Sequence, residues 1–121
     1  ERVFLNLIFN AAEAMNEGGT LLLTTCFGLY GNSIEVEVKD TGHGISIENM
    51  EKIFNPFFTT KEIGHGVGLG LAISYGIVKE HKGEITVESE IGQGARFIVS
   101  LPIITKVSED DGIKIENPAH R

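Results

Sequence analysis

Apolar and polar positions alternate along this chain in two rhythms. Over residues 1–16 the apolar residues Phe4, Leu7, Ile8, Ala11, Ala14 and Met15 recur at steps of three and four, the spacing of one helix face. Gly18 and Gly19 end that helix. Residues 20–28, Thr-Leu-Leu-Leu-Thr-Thr-Cys-Phe-Gly, read as a strand rich in apolar and β-branched residues. A turn through Gly31 and Asn32 leads into a strict alternation, Ile34-Glu35-Val36-Glu37-Val38-Lys39, which is a half-buried strand stopping on Asp40. Ser46 then predicts the N-cap of a short helix reaching about Phe54, with Ile45 and Met50 at hydrophobic-staple positions and Pro56 closing it. Residues 55–68 carry no period, and a loop of that length in a compact domain is more often a functional lid than filler. A second long helix is expected from about Gly68–Gly70 to Lys82, with Leu69, Ala72, Ile73, Gly76 and Ile77 inward and Gly83 as its C-cap. Two strands follow, 84–90 and 95–101, joined by the turn Ile91-Gly92-Gln93-Gly94, and Pro102 ends the sheet. The element order predicts an α+β fold, a two-layer α/β sandwich with a mixed β-sheet and helices on one face. Residues 1–102 form the domain; 103–121, with the acidic knot Glu109-Asp110-Asp111, read as a tail or linker with a weak strand around Ile113–Ile115.

Composition narrows the class. The 121 residues are 41% hydrophobic and 22% charged, enough for one domain with a core. Ten Lys+Arg against seventeen Asp+Glu give a net charge of −7, which argues against nucleic-acid binding, where cations must neutralise phosphates. Cys26 is the one cysteine, so no intrachain disulfide or thiolate metal cage is available, and its apolar strand predicts a buried, inert thiol. No run in these residues is long enough for a membrane span, and none has the pattern expected of a signal peptide. The chain opens inside a helical pattern without an initiating Met, so it is expected to be a piece of a larger protein.

Three stretches carry candidate chemistry. In Asp40-Thr41-Gly42-His43-Gly44-Ile45 a carboxylate at a strand end can accept a hydrogen bond from a ligand amine, and the glycines let a flat ring approach the backbone; taken alone, the hexapeptide reads first as an ordinary turn after a strand, and its company upstream and downstream favours the ligand. The first helix carries a second stripe, Arg2, Asn6, Asn10, Glu13 and Glu17, stacked one above another. A solvated face would suit Lys, Glu or Gln better than two asparagines a turn apart, which fit a partly enclosed polar surface. Gly64-x-Gly66-x-Gly68-x-Gly70 opens the second long helix, where exposed N–H groups and the positive helix end make a polyphosphate cradle. Neither the Walker pattern nor Gly-x-Gly-x-x-Gly is present. Thr59, Thr60 and Lys61 add two hydroxyls and a cation suited to a terminal phosphate, although exposed loop lysines are common.

Five boxes occur in order: Asn6-x-x-x-Asn10, Asp40-x-Gly42-x-Gly44, Phe54-x-Pro56-Phe57-Phe58-Thr59-Thr60-Lys61, Gly66-x-Gly68-x-Gly70 and Gly92-x-Gly94. Over residues 3–102 the chain resembles the catalytic ATP-binding domain of bacterial two-component sensor histidine kinases, in the Bergerat-type ATPase superfamily shared with gyrase. The resemblance implies ATP held between the helices under a glycine lid. It implies that Asp40 accepts a hydrogen bond from the adenine amino group, with Gly42, Gly44 and Ile45 in the loop against the ring. It implies that Asn10 ligates Mg²⁺ with an amide oxygen, and that Asn6 and Glu13 line the phosphate side. Lys61, beside Thr59 and Thr60, and the N–H groups of Gly66, Val67, Gly68, Leu69, Gly70 and Leu71 would hold the phosphates. Phe57 and Phe58 would pack the lid and touch the helical domain. Three departures stand out: Glu13 where kinases of this family often have Lys or Arg, Ala95 where they often have Ser or Thr, and no strand before the first helix. The last leaves a sheet edge unpaired unless the tail covers it.

Hydrolysing members of the superfamily place a glutamate where Asn6 stands, and a neutral amide cannot act as general base. The resemblance therefore implies transfer of the γ-phosphate to a histidine on a separate helical dimerisation and phosphoacceptor domain, with a response regulator downstream. Asn6 and Lys61 are the catalytic candidates. His43, His65, His81 and His120 sit in loops, at a helix end or in the tail, and none is placed as the acceptor. A gyrase-like ATPase and a nucleotide-sensing module without catalysis are the alternatives. ATP, ADP and Mg²⁺ are the expected ligands, the isolated domain is expected to be a monomer, and its expected location is the cytoplasm, whether or not the parent is membrane-anchored.

Overall fold

The computed structural model describes residues 1–58 and 70–103. In chain order the elements are α1 (Arg2–Ala14), β1 (Leu21–Phe27), β2 (Ser33–Asp40), α2 (Ile47–Met50), α3 (Gly70–Glu80), β3 (Glu84–Glu90) and β4 (Gly94–Pro102). The four strands form one sheet in the order β1-β2-β4-β3, and α1 and α3 lie together on one of its faces. The expected two layers are present. Every pairing among the described strands is antiparallel, however, where a mixed sheet was expected. The chain topology explains the difference. The crossover through α2 and α3 does make β3 run parallel to β2, but the hairpin that follows brings β4 back into the gap between them.

The core is Val3, Leu7 and Ala11 of α1, Val38 of β2, Ile53, Val78 of α3, Ile85 of β3, and Ala95, Phe97 and Val99 of β4. In α1 the buried line runs through Val3, Leu7 and Ala11, one residue per turn, with Phe4 packed beside it. Phe54 sets its ring edge-on to Phe97 at 6.5 Å and tilted against Tyr75 at 5.3 Å, which joins the α2 region to α3 and β4. Helix α2 stops earlier than expected. The Ser46 hydroxyl does accept the Asn49 N–H at 3.2 Å. Beyond it, the Lys52 and Asn55 N–H groups bond three residues back, so the chain continues in tight turns toward Pro56.

Two further expectations are corrected. Cys26 is exposed. Its strand β1 lies at the sheet edge beyond the two helices, so every residue of β1 is exposed despite the apolar sequence, and none of the described residues pairs with its outer edge. The buried side of α3 is rotated from the expected one: Ser74 and Val78 are buried, Leu71 and Ile77 pack against the core, and Gly76 is exposed. The polar Ser74 hid this face, because a buried hydroxyl with a partner is not an apolar position. The residues 104–121, including Ile113–Ile115, lie outside the described residues.

The end of α3 also differs in detail. The Gly83 N–H donates to the Val78 carbonyl at 2.9 Å and the Lys82 N–H to the Lys79 carbonyl at 2.9 Å. These are the two bonds of a Schellman motif. Lys82, not Gly83, takes the left-handed position, with φ 61°. Gly83 is required one step later, where a Cβ would lie 2.4 Å from the Ser100 carbonyl oxygen of β4. A lysine in the left-handed region is strained. Lys82→Gly should therefore stabilise the domain by about 0.5–1 kcal/mol, read as a higher denaturant midpoint at unchanged slope. An unchanged or lower midpoint would mean that this position holds no strain.

Candidate nucleotide site

Asp40 ends β2 on the inner face and is only 3% exposed. A carboxylate that deep needs donors. Its Oδ1 accepts the Gly42 N–H at 2.8 Å, closing an Asx turn, and the Ala95 N–H of β4 at 3.3 Å. Both donors meet one oxygen. The other oxygen accepts from none of the described residues and is the one a ligand amine could reach.

The turn after Asp40 is fastened on three sides. The His43 N–H donates to the Ala14 carbonyl at the end of α1, at 3.1 Å. The Gly92 N–H of the β3–β4 hairpin donates to the His43 carbonyl at 2.9 Å. The Ile45 N–H donates to the Ser89 hydroxyl at 2.8 Å, and that hydroxyl donates to the Gly94 carbonyl at 2.6 Å. Gly44 and Gly94 are required at this junction, with φ values of 76° and 84°. A Cβ on Gly44 would lie 2.1 Å from the Glu90 carbonyl oxygen, and one on Gly94 2.0 Å from that of Asp40. Asp40, Gly42, Gly44 and Ile45 thus come together as expected. The imidazole of exposed His43 is turned back, its Nδ1 donating to the Gly44 carbonyl at 2.8 Å.

The polar stripe of α1 forms a second wall. Asn6 and Asn10 are half-buried a turn apart, and Glu13 is exposed a turn further on. The Asn6 amide nitrogen donates to the Gly70 carbonyl at 3.3 Å and to the Ser74 hydroxyl at 3.2 Å. Asn6 therefore ties α1 to the first turn of α3, a role the sequence reading had not included. Gly70 and Leu71 head α3, where backbone N–H groups have no partner within the helix. The Leu71 side chain packs inward. Thr59, Thr60, Lys61, Gly66, Val67, Gly68 and Leu69 lie outside the described residues. Phe57 and Phe58 part company: Phe58 packs against the core, whereas Phe57 has φ 67° and is 71% exposed.

Two functional-looking residues escaped the sequence reading. Ser89 follows Ile85 and Val87 on the alternating inner face of β3, and Ser74 lies on the buried stripe of α3. A serine where the period asks for an apolar residue is the signal that was available for both. Among the described residues no group of three or more His, Cys, Asp or Glu could cage a metal ion. The donor set at this site, one asparagine amide oxygen at Asn10, suits a hard cation that arrives bound to phosphates and keeps most of its own waters. Among the same residues no helix is long and apolar enough to cross a membrane.

Comparison with known proteins gives the family. Residues 1–105 match the family described as histidine kinase-, DNA gyrase B-, and HSP90-like ATPase. The sensor kinase CckA of Brucella abortus (strain 2308) is 43% identical over 92% of this chain and 13% of its own length. Sporulation kinase E of Bacillus subtilis (strain 168) is 40% identical over 90% of this chain and 14% of its own length. The chain thus spans about one seventh of these curated relatives. Among solved structures, full-length ShkA in complex with AMPPNP superposes with a TM-score of 0.75 at 34% identity, over 88% of this chain and 22% of that one. The nucleotide-free catalytic domain of histidine kinase ThkA superposes with a TM-score of 0.71 at 41% identity, over 84% of this chain and 65% of that one. The chain belongs to the histidine kinase-, DNA gyrase B- and HSP90-like ATPase family, as an ATP-binding catalytic domain of the sensor histidine kinase kind.

Proposed function

We propose that this domain binds ATP with Mg²⁺ and presents the γ-phosphate to a histidine on a separate helical dimerisation and phosphoacceptor domain of the same protein, from which a response regulator is served. Residues 1–102 act as the catalytic unit, 103–121 as a tail or linker, and the setting is the cytoplasm. The observation that carries the reading is the Asp40 carboxylate, with one oxygen fixed by two backbone donors and the other turned to no described residue. That is a preorganised acceptor for an exocyclic amine, and a rigid acceptor discriminates better than a mobile one. Adenine offers such an amine where guanine offers a carbonyl.

Asn10 would hold Mg²⁺, which when bound draws charge from the phosphates during transfer. Gly70, Leu71 and the preceding residues from Thr59, with Lys61 among them, would take the phosphates. The step itself is displacement at phosphorus: an imidazole nitrogen of the acceptor domain forms the new P–N bond as the bond to the ADP oxygen breaks. The proton leaving the imidazole goes to a base beside the acceptor, because nothing at position 6 can take it. Asn6 is an amide already donating to α3, and it is not a base. This favours a kinase over a gyrase-like hydrolase. The buried, doubly bonded Asp40 favours an intact nucleotide site over a degenerate one.

Three outcomes test the reading. Asp40→Asn presents an NH₂ to the adenine amine and should weaken ATP binding by about 1.5–3 kcal/mol, with a narrower preference for ATP over GTP. Isothermal titration of both nucleotides, on protein whose fold is checked by circular dichroism, measures this. A folded variant with unaltered ATP affinity would sink the adenine assignment. Separately, the domain alone should release phosphate far more slowly than about 1 s⁻¹, while Asn10→Asp, which adds negative charge beside the phosphates, should sharply reduce transfer to an added acceptor domain. Fast turnover by the isolated domain would favour the hydrolase, and unchanged transfer would remove Asn10 from the cation site.

A further inference from the structure

We infer that Ser89 is a positioning residue for base recognition, acting on Asp40 through the peptide plane between Gly94 and Ala95. The inference rests on the nucleotide reading given above and extends it to a residue on the far side of the sheet junction. Ser89 pairs with Ala95 across the β3–β4 ladder. Its hydroxyl donates to the Gly94 carbonyl at 2.6 Å. That carbonyl belongs to the same peptide unit as the Ala95 N–H, which donates to Asp40 Oδ1 at 3.3 Å. A peptide unit is planar, so a bond that orients its C=O also orients its N–H. Hydrogen bonding at the carbonyl further polarises the N–H, which strengthens its donation to Asp40.

The same hydroxyl acts on a second peptide. It accepts the Ile45 N–H at 2.8 Å, and the carbonyl of that unit, Gly44, takes the His43 Nδ1–H at 2.8 Å. One hydroxyl therefore uses its donor on the hairpin and an acceptor site on the glycine turn. The two segments that flank the Asp40 carboxylate are locked to each other through Ser89. Without the hydroxyl, the Ile45 N–H loses its acceptor and the Gly94–Ala95 plane is free to rock, so the weaker of the two bonds on Oδ1 goes first. The expected consequence is loss of orientation in the carboxylate rather than loss of the fold. β3 and β4 retain their ladder from Glu84 to Glu90, and the core residue Ile85 lies four positions away.

The test uses the whole chain and non-hydrolysable analogues of ATP and GTP, with Asp40→Asn measured beside Ser89→Ala, Ser89→Val and Ser89→Thr. Thr and Val have nearly the same shape and differ by the hydroxyl, and both suit a strand. Ser89→Ala and Ser89→Val should bind the ATP analogue of order tenfold more weakly, and their ATP-over-GTP ratio should fall. Ser89→Thr should stay within about twofold of the parent in both. A hydroxyl that only stabilised the fold would lower both affinities in step with the folded fraction and leave the ratio unchanged, which would overturn the proposal. So would a Ser89→Thr protein that behaves like Ser89→Val, or a Ser89→Val protein that keeps both affinity and ratio. If Asp40→Asn binds the ATP analogue as the parent does, the adenine reading itself falls. If Asp40→Asn is weakened and Ser89→Val is not, only the role of Ser89 falls.

Discussion

A carboxylate taken almost wholly out of water must recover its hydration from donors in the protein, or it destabilises the fold around it. Asp40 is in that position at the end of β2, and its two donors come from opposite directions along the chain, Gly42 just after it and Ala95 on the neighbouring strand. Much of the surrounding geometry serves these two bonds. The turn must fold back on the strand end, so Gly44 runs against the Glu90 backbone. The hairpin must bring β4 in beside β2, so Gly94 runs against the Asp40 backbone. The His43 carbonyl and N–H then join the turn to the hairpin and to the end of α1. A change in any of these backbones is felt at the carboxylate.

The helical layer is built on the same economy of positions. Helix α1 turns Val3, Leu7 and Ala11 to the core and Asn6 and Asn10 to its flank, and both lines follow from steps of four along one helix. Its start packs against α3 and its end meets the turn after Asp40 through Ala14. The site walls are thus two sides of elements whose other sides form the core. On the other face of the sheet Arg96 bonds Glu37 at 2.6 Å and Glu88 at 2.8 Å, linking β2, β4 and β3 with no helix of the described residues above them. Glu88 is exposed and Glu37 and Arg96 are half-buried, so the outer pair adds little stability; together they keep that face polar.

What could be read from the residues follows from what is periodic. The alternation of β2 and the three-and-four spacing of α1 are repeated several times, so single exceptions do not hide them. Asp40 and the glycines after it read alone as an ordinary turn after a strand, and they stand out only beside the asparagine stripe of α1 and the later glycine run. The errors arise where tertiary context reverses a local preference. Leu21, Leu22 and Leu23 look like core, yet β1 is at the edge and no helix among the described residues reaches over it. Ser74 looks like surface, yet it is fully buried because Asn6 supplies its partner. Gly83 looks like the helix terminator, yet Lys82 takes the left-handed turn and the glycine is needed for its closeness to Ser100. Burial of a strand depends on its neighbours in the sheet, and no pattern within β1 contains that.

The identity of residue 6 joins the fold to the chemistry. Its amide nitrogen makes two donations, to the Gly70 carbonyl and the Ser74 hydroxyl. An ionised carboxylate at the same place is acceptor-only. It could still accept from the Ser74 hydroxyl, but it would face the Gly70 carbonyl, also an acceptor, across the head of α3. A general base for water at this position would therefore need a different junction between α1 and α3. The asparagine both withholds the base and holds the helices, so the chemistry of this site and the packing of its two long helices cannot be changed independently.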